Sequence, residues 1–178
     1  MKENIKFYSQ MGQDQIVVNL FKGKTNGTFL DIGCGDPENI NNTLTLEKYF
    51  SWTGLSIDLN EEVIKEWESI RSESKFLLTN ALEIDYTSIL RENNLPLHVD
   101  FLSIDLEPPT ITFDVLKKIP LNEITFNVIA YEHDGYRMGH EFKQNTRDYI
   151  QSFGYVLFKE LNNQDDIYLH NSFVDSYK

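Results

Sequence analysis

A single cysteine, Cys34, stands among the 178 residues. That excludes an internal disulfide and any zinc site built from several thiolates. Positive charge is scarce as well: 16 Lys and Arg face 28 Asp and Glu, a net charge of −12. Such a mean field repels a phosphate backbone, so no nucleic-acid partner is expected. No apolar run approaches the ~20 residues of a membrane span, and the opening MKENIKFYSQMG has no signal-like apolar segment. Internal repeats, low-complexity tracts and Pro/Gly/Ser-rich linkers are also missing. The expectation is one domain over residues 1–178, soluble and cytoplasmic, with no membrane partner.

What is present suffices for a core, at 40% hydrophobic and 13% aromatic residues. Short apolar runs alternate with helical patterns, which predicts a mostly parallel sheet covered on both faces. The predicted strands are Thr28–Ile32, Gly54–Leu59, Lys75–Thr79, Val99–Asp105, Thr125–Tyr131, Tyr155–Lys159 and Asp166–His170. Predicted helices cover Gln10–Phe21, with Ser9 available as N-cap, then Glu61–Ser72, Ile111–Lys118 and Arg137–Ser152. Only a short polar turn separates the last two strands in YVLFKELNNQDDIYLH. Parallel neighbours need a crossover of about a dozen residues or more, so this pair must be an antiparallel hairpin. The fold class is therefore α/β: a Rossmann-like seven-stranded methyltransferase sheet, mostly parallel, closed by a C-terminal hairpin.

In such a sheet, ligands bind beyond the carboxyl ends of the strands. After the first strand comes Asp31-Ile32-Gly33-Cys34-Gly35-Asp36, where Gly33 and Gly35 let the backbone approach a ligand and take positive φ. A dinucleotide would set its pyrophosphate on this turn, but Asp36 and Glu38 place negative charge there. A sulfonium cofactor carries no phosphate and tolerates the acids, so the turn favours S-adenosylmethionine over NAD. Asp58 lies a little over ~20 residues beyond the turn, the place of an acid that bonds ribose hydroxyls. Asn80 and Ala81 follow the third strand, where the Asn80 amide can pair with an adenine edge.

These residues carry a likeness. Tyr8-Ser9-Gln10-Met11-Gly12-Gln13-Asp14, Phe29-Leu30-Asp31-Ile32-Gly33, Asn42-Thr43 with Leu46-Glu47, and Trp52-Thr53-Gly54-Leu55-Ser56-Ile57-Asp58 are among them. So are Asp100-Phe101-Leu102-Ser103-Ile104-Asp105-Leu106-Glu107 and Tyr131-Glu132-His133. In this order they resemble the FkbM family of S-adenosylmethionine-dependent methyltransferases, from Tyr8 to the Asp165-Asp166 hairpin. The resemblance implies methylation of a hydroxyl, commonly on a sugar or polyketide-type product, with Gln10 as a cofactor contact. The chain departs from the family at Cys34-Gly35-Asp36-Pro37, at Pro108-Pro109, and at Asp58, where the family usually has Glu.

Methyl transfer to an alcohol needs alignment, exclusion of water and removal of the acceptor's proton. The candidate catalytic groups are Asp105 and Glu107 after the fourth strand and Glu132 and His133 after the fifth. His133, with an ordinary pKa near ~6.5, is the natural base. A second arrangement joins Asp105, Glu132 and His133 as ligands of a divalent ion that binds the acceptor oxygen. Asp165-Asp166 read either as the family's hairpin acids or as a solvated turn, and Tyr49, Phe50 and Trp52 as core. The expected partner is a sugar or other hydroxyl-bearing small molecule or glycan. With little sequence to spare for a lid, either the acceptor is large or a further copy closes the site, making a homo-oligomer. The alternatives are a non-catalytic S-adenosylmethionine-binding or interaction module and an NAD-linked oxidoreductase.

Overall fold

The computed structural model describes residues 4–177. Seven strands form one sheet: β1 (Thr28–Ile32), β2 (Thr53–Asp58), β3 (Lys75–Leu78), β4 (His98–Ile104), β5 (Thr125–Glu132), β6 (Tyr155–Leu161) and β7 (Asp165–His170). Their order is β3-β2-β1-β4-β5-β7-β6. The first five are parallel, and β7 enters antiparallel between β5 and β6. The predicted fold class and closing hairpin are thus observed. The strand order reverses between β1 and β4, which places a ligand crevice at their carboxyl ends.

Both faces are covered, because the central strands are apolar on both sides. One face carries α4 (Tyr86–Glu92), α5 (Pro109–Lys118) and α7 (His140–Gln151), packing Leu90, Leu116 and Ile150 against Leu30, Leu102 and Ile129. The other carries α1 (Gln13–Leu20), α2 (Leu44–Phe50) and α8 (Asn171–Tyr177). There Val17, Leu46 and Trp52 meet Phe29, Phe101 and Val128. Phe50 and Trp52 are buried core residues, as expected. Two further helices, α3 (Ile64–Ile70) and the one-turn α6 (Gly135–Met138), lie in the connections.

Several boundaries differ from those predicted. The first helix starts at Gln13, behind Gly12 at φ 79°. Gly12, not Ser9, holds the N-cap position; the Ser9 hydroxyl donates to the buried Asp14 carboxylate at 2.5 Å and accepts from Asp14 N at 3.4 Å. Asp14 also accepts from Tyr8 N at 2.7 Å and Thr45 Oγ1 at 2.5 Å, tying the N-terminal segment to α2. The Glu61–Ser72 segment opens with a 3-10 turn over Glu61–Val63 capped by Asn60, and only then becomes α3. The Arg137–Ser152 helix is broken at Gly139, φ 85°. Pro108 and Pro109 form the start of α5, with Pro109 in the first turn, where a missing N–H costs nothing. Among the described residues, no helix is long and apolar enough to cross a membrane.

Candidate functional site

The carboxyl edge is assembled by register. Asp31 stands opposite Ser56 on one side and Ser103 on the other, and Ile104 opposite Tyr131. The next residues, Asp105 and Glu132, therefore leave the sheet side by side. Glu132 in turn stands opposite Asp165.

The turn after β1 is shaped by two glycines. Gly33 has φ 76°, and a Cβ there would stand 1.7 Å from the backbone oxygen of Asp105. Nothing but glycine fits. Gly35 has φ 57°, and a Cβ there would meet nothing within 4 Å, so this part of the turn faces open space. Asp58 accepts from Gly35 N at 2.9 Å and from Asn60 N at 2.9 Å, fixing the turn against the end of β2. Asp36 accepts from the backbone of Glu38 and Asn39 at 2.8 and 2.7 Å, and these bonds lower its pKa. Asp31 is buried beneath and accepts from Thr43 Oγ1 at 2.9 Å. Desolvation raises its pKa against the bonds from Thr43 and Ser103 and the charge of Arg71. Burial raises the Cys34 thiol too, so it stays protonated and unreactive.

Asn80 caps a 3-10 turn at Ala81–Glu83, accepting from Leu82 N at 3.1 Å and donating to Glu83 Oε1 at 3.0 Å. Ala81 is buried, and its carbonyl accepts from Tyr86. Gln10 is exposed on the segment before α1. The buried glutamine is Gln13, whose amide donates to Asp165. Of the two glutamines in Y-S-Q-x-G-Q-D, Gln10 faces solvent and Gln13 is held inside.

Asp105, Glu132 and Asp165 form the acidic floor. Desolvation, then the hydrogen bond and charge of Glu132, then the charges of Asp165 and Asp31 raise the Asp105 carboxyl well above the carboxylate range. Asp105 keeps water contact at the strand end, so the neighbouring charges are the firmer of these causes. Glu132 is held by Gln164 Nε2 at 2.9 Å. Asp165, 6% exposed, is pushed up to about 7, chiefly by burial. The charge of Glu132 opposes ionisation of both Asp105 and Asp165.

His133 is not part of it. Its ring is fully buried, Nδ1 accepts from Gly135 N at 2.9 Å, and Nε2 faces Asp166 Oδ1 at 3.4 Å. Adjacent strand residues point to opposite faces, so Glu132 joins the acidic floor while His133 joins Asp166. Glu107 also turns away, exposed and bonded to Arg137 Nη1 at 2.6 Å. Arg137 reaches Asp134 as well, at 2.7 Å, bridging the loops after β4 and β5. Among the described residues, no three His, Cys, Asp or Glu side chains form a group that could hold a metal ion. Asp105, Glu132 and His133 are not brought together here, since His133 lies on the other face with Asp166.

This architecture is the Rossmann-like seven-stranded methyltransferase fold, and similar solved structures bear it out. No family model and no curated protein matches the chain. A TehB-like SAM-dependent methyltransferase from Corynebacterium glutamicum is 13% identical, with 93% of this chain and 89% of that chain covered and a TM-score of 0.60. Human methyltransferase-like protein 13, in complex with S-adenosylhomocysteine, is 11% identical over 94% of this chain and 86% of that chain, TM-score 0.58. TrmK of M. capricolum, also with S-adenosylhomocysteine, is 15% identical over 88% of this chain and 68% of that chain, TM-score 0.56. At these identities the likeness is one of fold.

Proposed function

We propose that the chain is an S-adenosylmethionine-dependent O-methyltransferase acting on a hydroxyl of a sugar, glycan or related metabolite, akin to the FkbM family it resembles. The observation that carries this reading is the Asp105–Glu132 pair, set beside a glycine turn at the switch point of a methyltransferase sheet. Two solved structures of this fold hold S-adenosylhomocysteine, which supports the cofactor class.

The residues suit that cofactor. Open space at Gly35 and the absence of a Cβ let the turn approach it closely. Asp58 makes one backbone bond through each oxygen, leaving a lone pair on each for ribose hydroxyls. Asn80 and Ala81 border the adenine side, and Gln10 the N-terminal side. When bound, the cofactor supplies a methyl group on a positively charged sulfur. The acidic floor favours a cation nearby.

Proton removal falls to the carboxyl pair. Glu132, oriented by Gln164, faces the acceptor hydroxyl beside Asp105. The acceptor's proton passes to Glu132 as the oxygen gains negative character. Glu132 and Asp165 are buried at the strand ends while Asp105 is exposed, so the acceptor has to close that side against water. Asp31 and Asp58 act on the turn, not on the acceptor.

A non-catalytic binding module is the alternative. The departure from the family at Pro108-Pro109 does not favour it, because the two prolines form the start of a helix. Incubating the protein with radiolabelled S-adenosylmethionine and a panel of sugars, glycans and amines tests the proposal. Label on hydroxyl acceptors alone is expected. Label on amines alone would contradict the O-methyl assignment, and cofactor binding without any transfer would favour the module.

A further inference from the structure

Arg71 directly follows α3, and no step described above uses it. Its side chain is fully enclosed, lying 4.6 Å from the Trp67 ring and 5.9 Å from that of Phe29. A guanidinium at that depth needs its donors paired. Nε donates to Glu47 Oε2 at 2.7 Å, Nη1 to Asn41 Oδ1 at 3.1 Å, and Nη2 to Thr43 Oγ1 at 3.0 Å. Asn41 and Thr43 end the loop that begins at Gly33.

Arginine has no acceptor, so Asn41 must turn its oxygen toward Arg71. The backbone N–H groups of Thr43 and Leu44 donate to the same oxygen, at 3.0 and 2.9 Å, so Arg71 is one of three N–H donors that set which way the Asn41 amide faces. Its nitrogen is directed the other way, donating to the carbonyls of Cys34 at 3.3 Å and Asp36 at 3.0 Å. Those carbonyls flank Gly35. The guanidinium thus acts on the glycine turn through one intervening amide. Thr43 relays a second contact, donating to Asp31 at 2.9 Å under the same turn. Buried ion pairs are often replaceable by apolar side chains at no loss of stability. Tying Asn41 and Thr43 to Glu47 through one group is a task an apolar side chain cannot do.

We propose that Arg71 is a positioning residue for the cofactor, holding the Gly33–Asp36 turn in its ligand-accepting shape by bracing Asn41 and Thr43 together. This rests on the cofactor assignment made under Proposed function. Two variants of the full chain test it, Asn41→Asp and Arg71→Lys. The first keeps size and a partner for Arg71 but faces the Cys34 and Asp36 carbonyls with an oxygen. The second keeps charge near Glu47 but cannot span Glu47, Asn41 and Thr43 together.

Titration calorimetry with S-adenosylhomocysteine and ligand-free thermal unfolding are the readouts. Both variants should bind at least about tenfold more weakly, the change expected from one lost buried hydrogen bond. The Asn41→Asp midpoint should stay near that of the parent. Parental affinity in both variants overturns the inference. So does a fall in both midpoints that accounts for the lost binding, which makes the role structural. If the parent itself binds no S-adenosylhomocysteine, the cofactor assignment fails first and takes this inference with it.

Discussion

Asp165 and Asp166 are consecutive in β7, face opposite sides of the sheet, and have their carboxyls driven in opposite directions. Asp165 lies with Glu132 and Gln13 and is pushed up to about 7, mainly by burial. Burial opposes ionisation of Asp166 too, but bonds from His133, Arg147 and Tyr168 bring it down to about 2. The two Arg147 bonds, at 2.7 and 2.8 Å, are the strong ones, since His133 Nε2 stands 3.4 Å away. The alternation of a strand thus separates a proton-holding site from an ion pair.

Opposite pH dependence follows from the two shifts. A carboxyl raised in the folded state favours folding below its unfolded pKa, ~3.9, and loses that contribution as pH rises through about 7. Asp165→Asn should therefore raise the unfolding midpoint at pH 8, and the gain should vanish by pH 4. Asp166 is depressed, so its contribution is present above ~3.9 and lost as pH falls through about 2. Asp166→Asn should cost about 2 kcal/mol at pH 7 by removing the buried carboxylate that faces Arg147, which keeps Glu160 as its remaining partner. Urea unfolding across pH 3–8 reads both, and matching profiles for the two variants would refute the division.

The catalytic assignment separates Glu132 from His133. Glu132→Gln and Asp105→Asn should lower kcat by about 10²–10⁴, the range for a lost general base. Their affinity for S-adenosylhomocysteine should change only a few-fold. His133→Asn should act on stability, with kcat within about tenfold of the parent. A collapse of kcat in the folded His133 variant would return the base to histidine. Exhaustive chelation should leave kcat unchanged, because His133 does not join the carboxyls; loss that Mg2+ or Mn2+ restores would revive the metal arrangement.

The two turn glycines should respond differently to alanine. Gly33→Ala combines a positive φ with a 1.7 Å clash against backbone, so a loss beyond about 3 kcal/mol is expected. Gly35→Ala meets nothing, so stability should fall by about 1 kcal/mol while cofactor affinity drops much further. Equal affinity in Gly35→Ala and the parent would place the cofactor elsewhere.

Much of the fold was legible because parallel strands buried on both faces read as short apolar runs, and because YVLFKELNNQDDIYLH leaves room only for a hairpin. The insertion of β7 between β5 and β6 is a matter of pairing, which local pattern does not carry. α2 and α4 span two turns each, too short for a helical period to stand out. That Asp31, Asp58, Asp105 and Glu132 stand at strand ends was legible from the sequence. The change of face between Glu132 and His133 was not, because sequence adjacency hides it. Asp165 read equally well as a solvated acid, since its burial comes from Gln13, 152 residues away. Arg71 belongs to no motif; its role depends on a loop folding back over it.

The central claim is that the crevice beyond the strand ends takes S-adenosylmethionine and not a dinucleotide. Titration calorimetry of the full chain with S-adenosylhomocysteine and, separately, with NAD tests it most directly. Saturable one-to-one binding of S-adenosylhomocysteine with no heat from NAD is the predicted result. Binding of NAD alone, or of neither ligand, would contradict it.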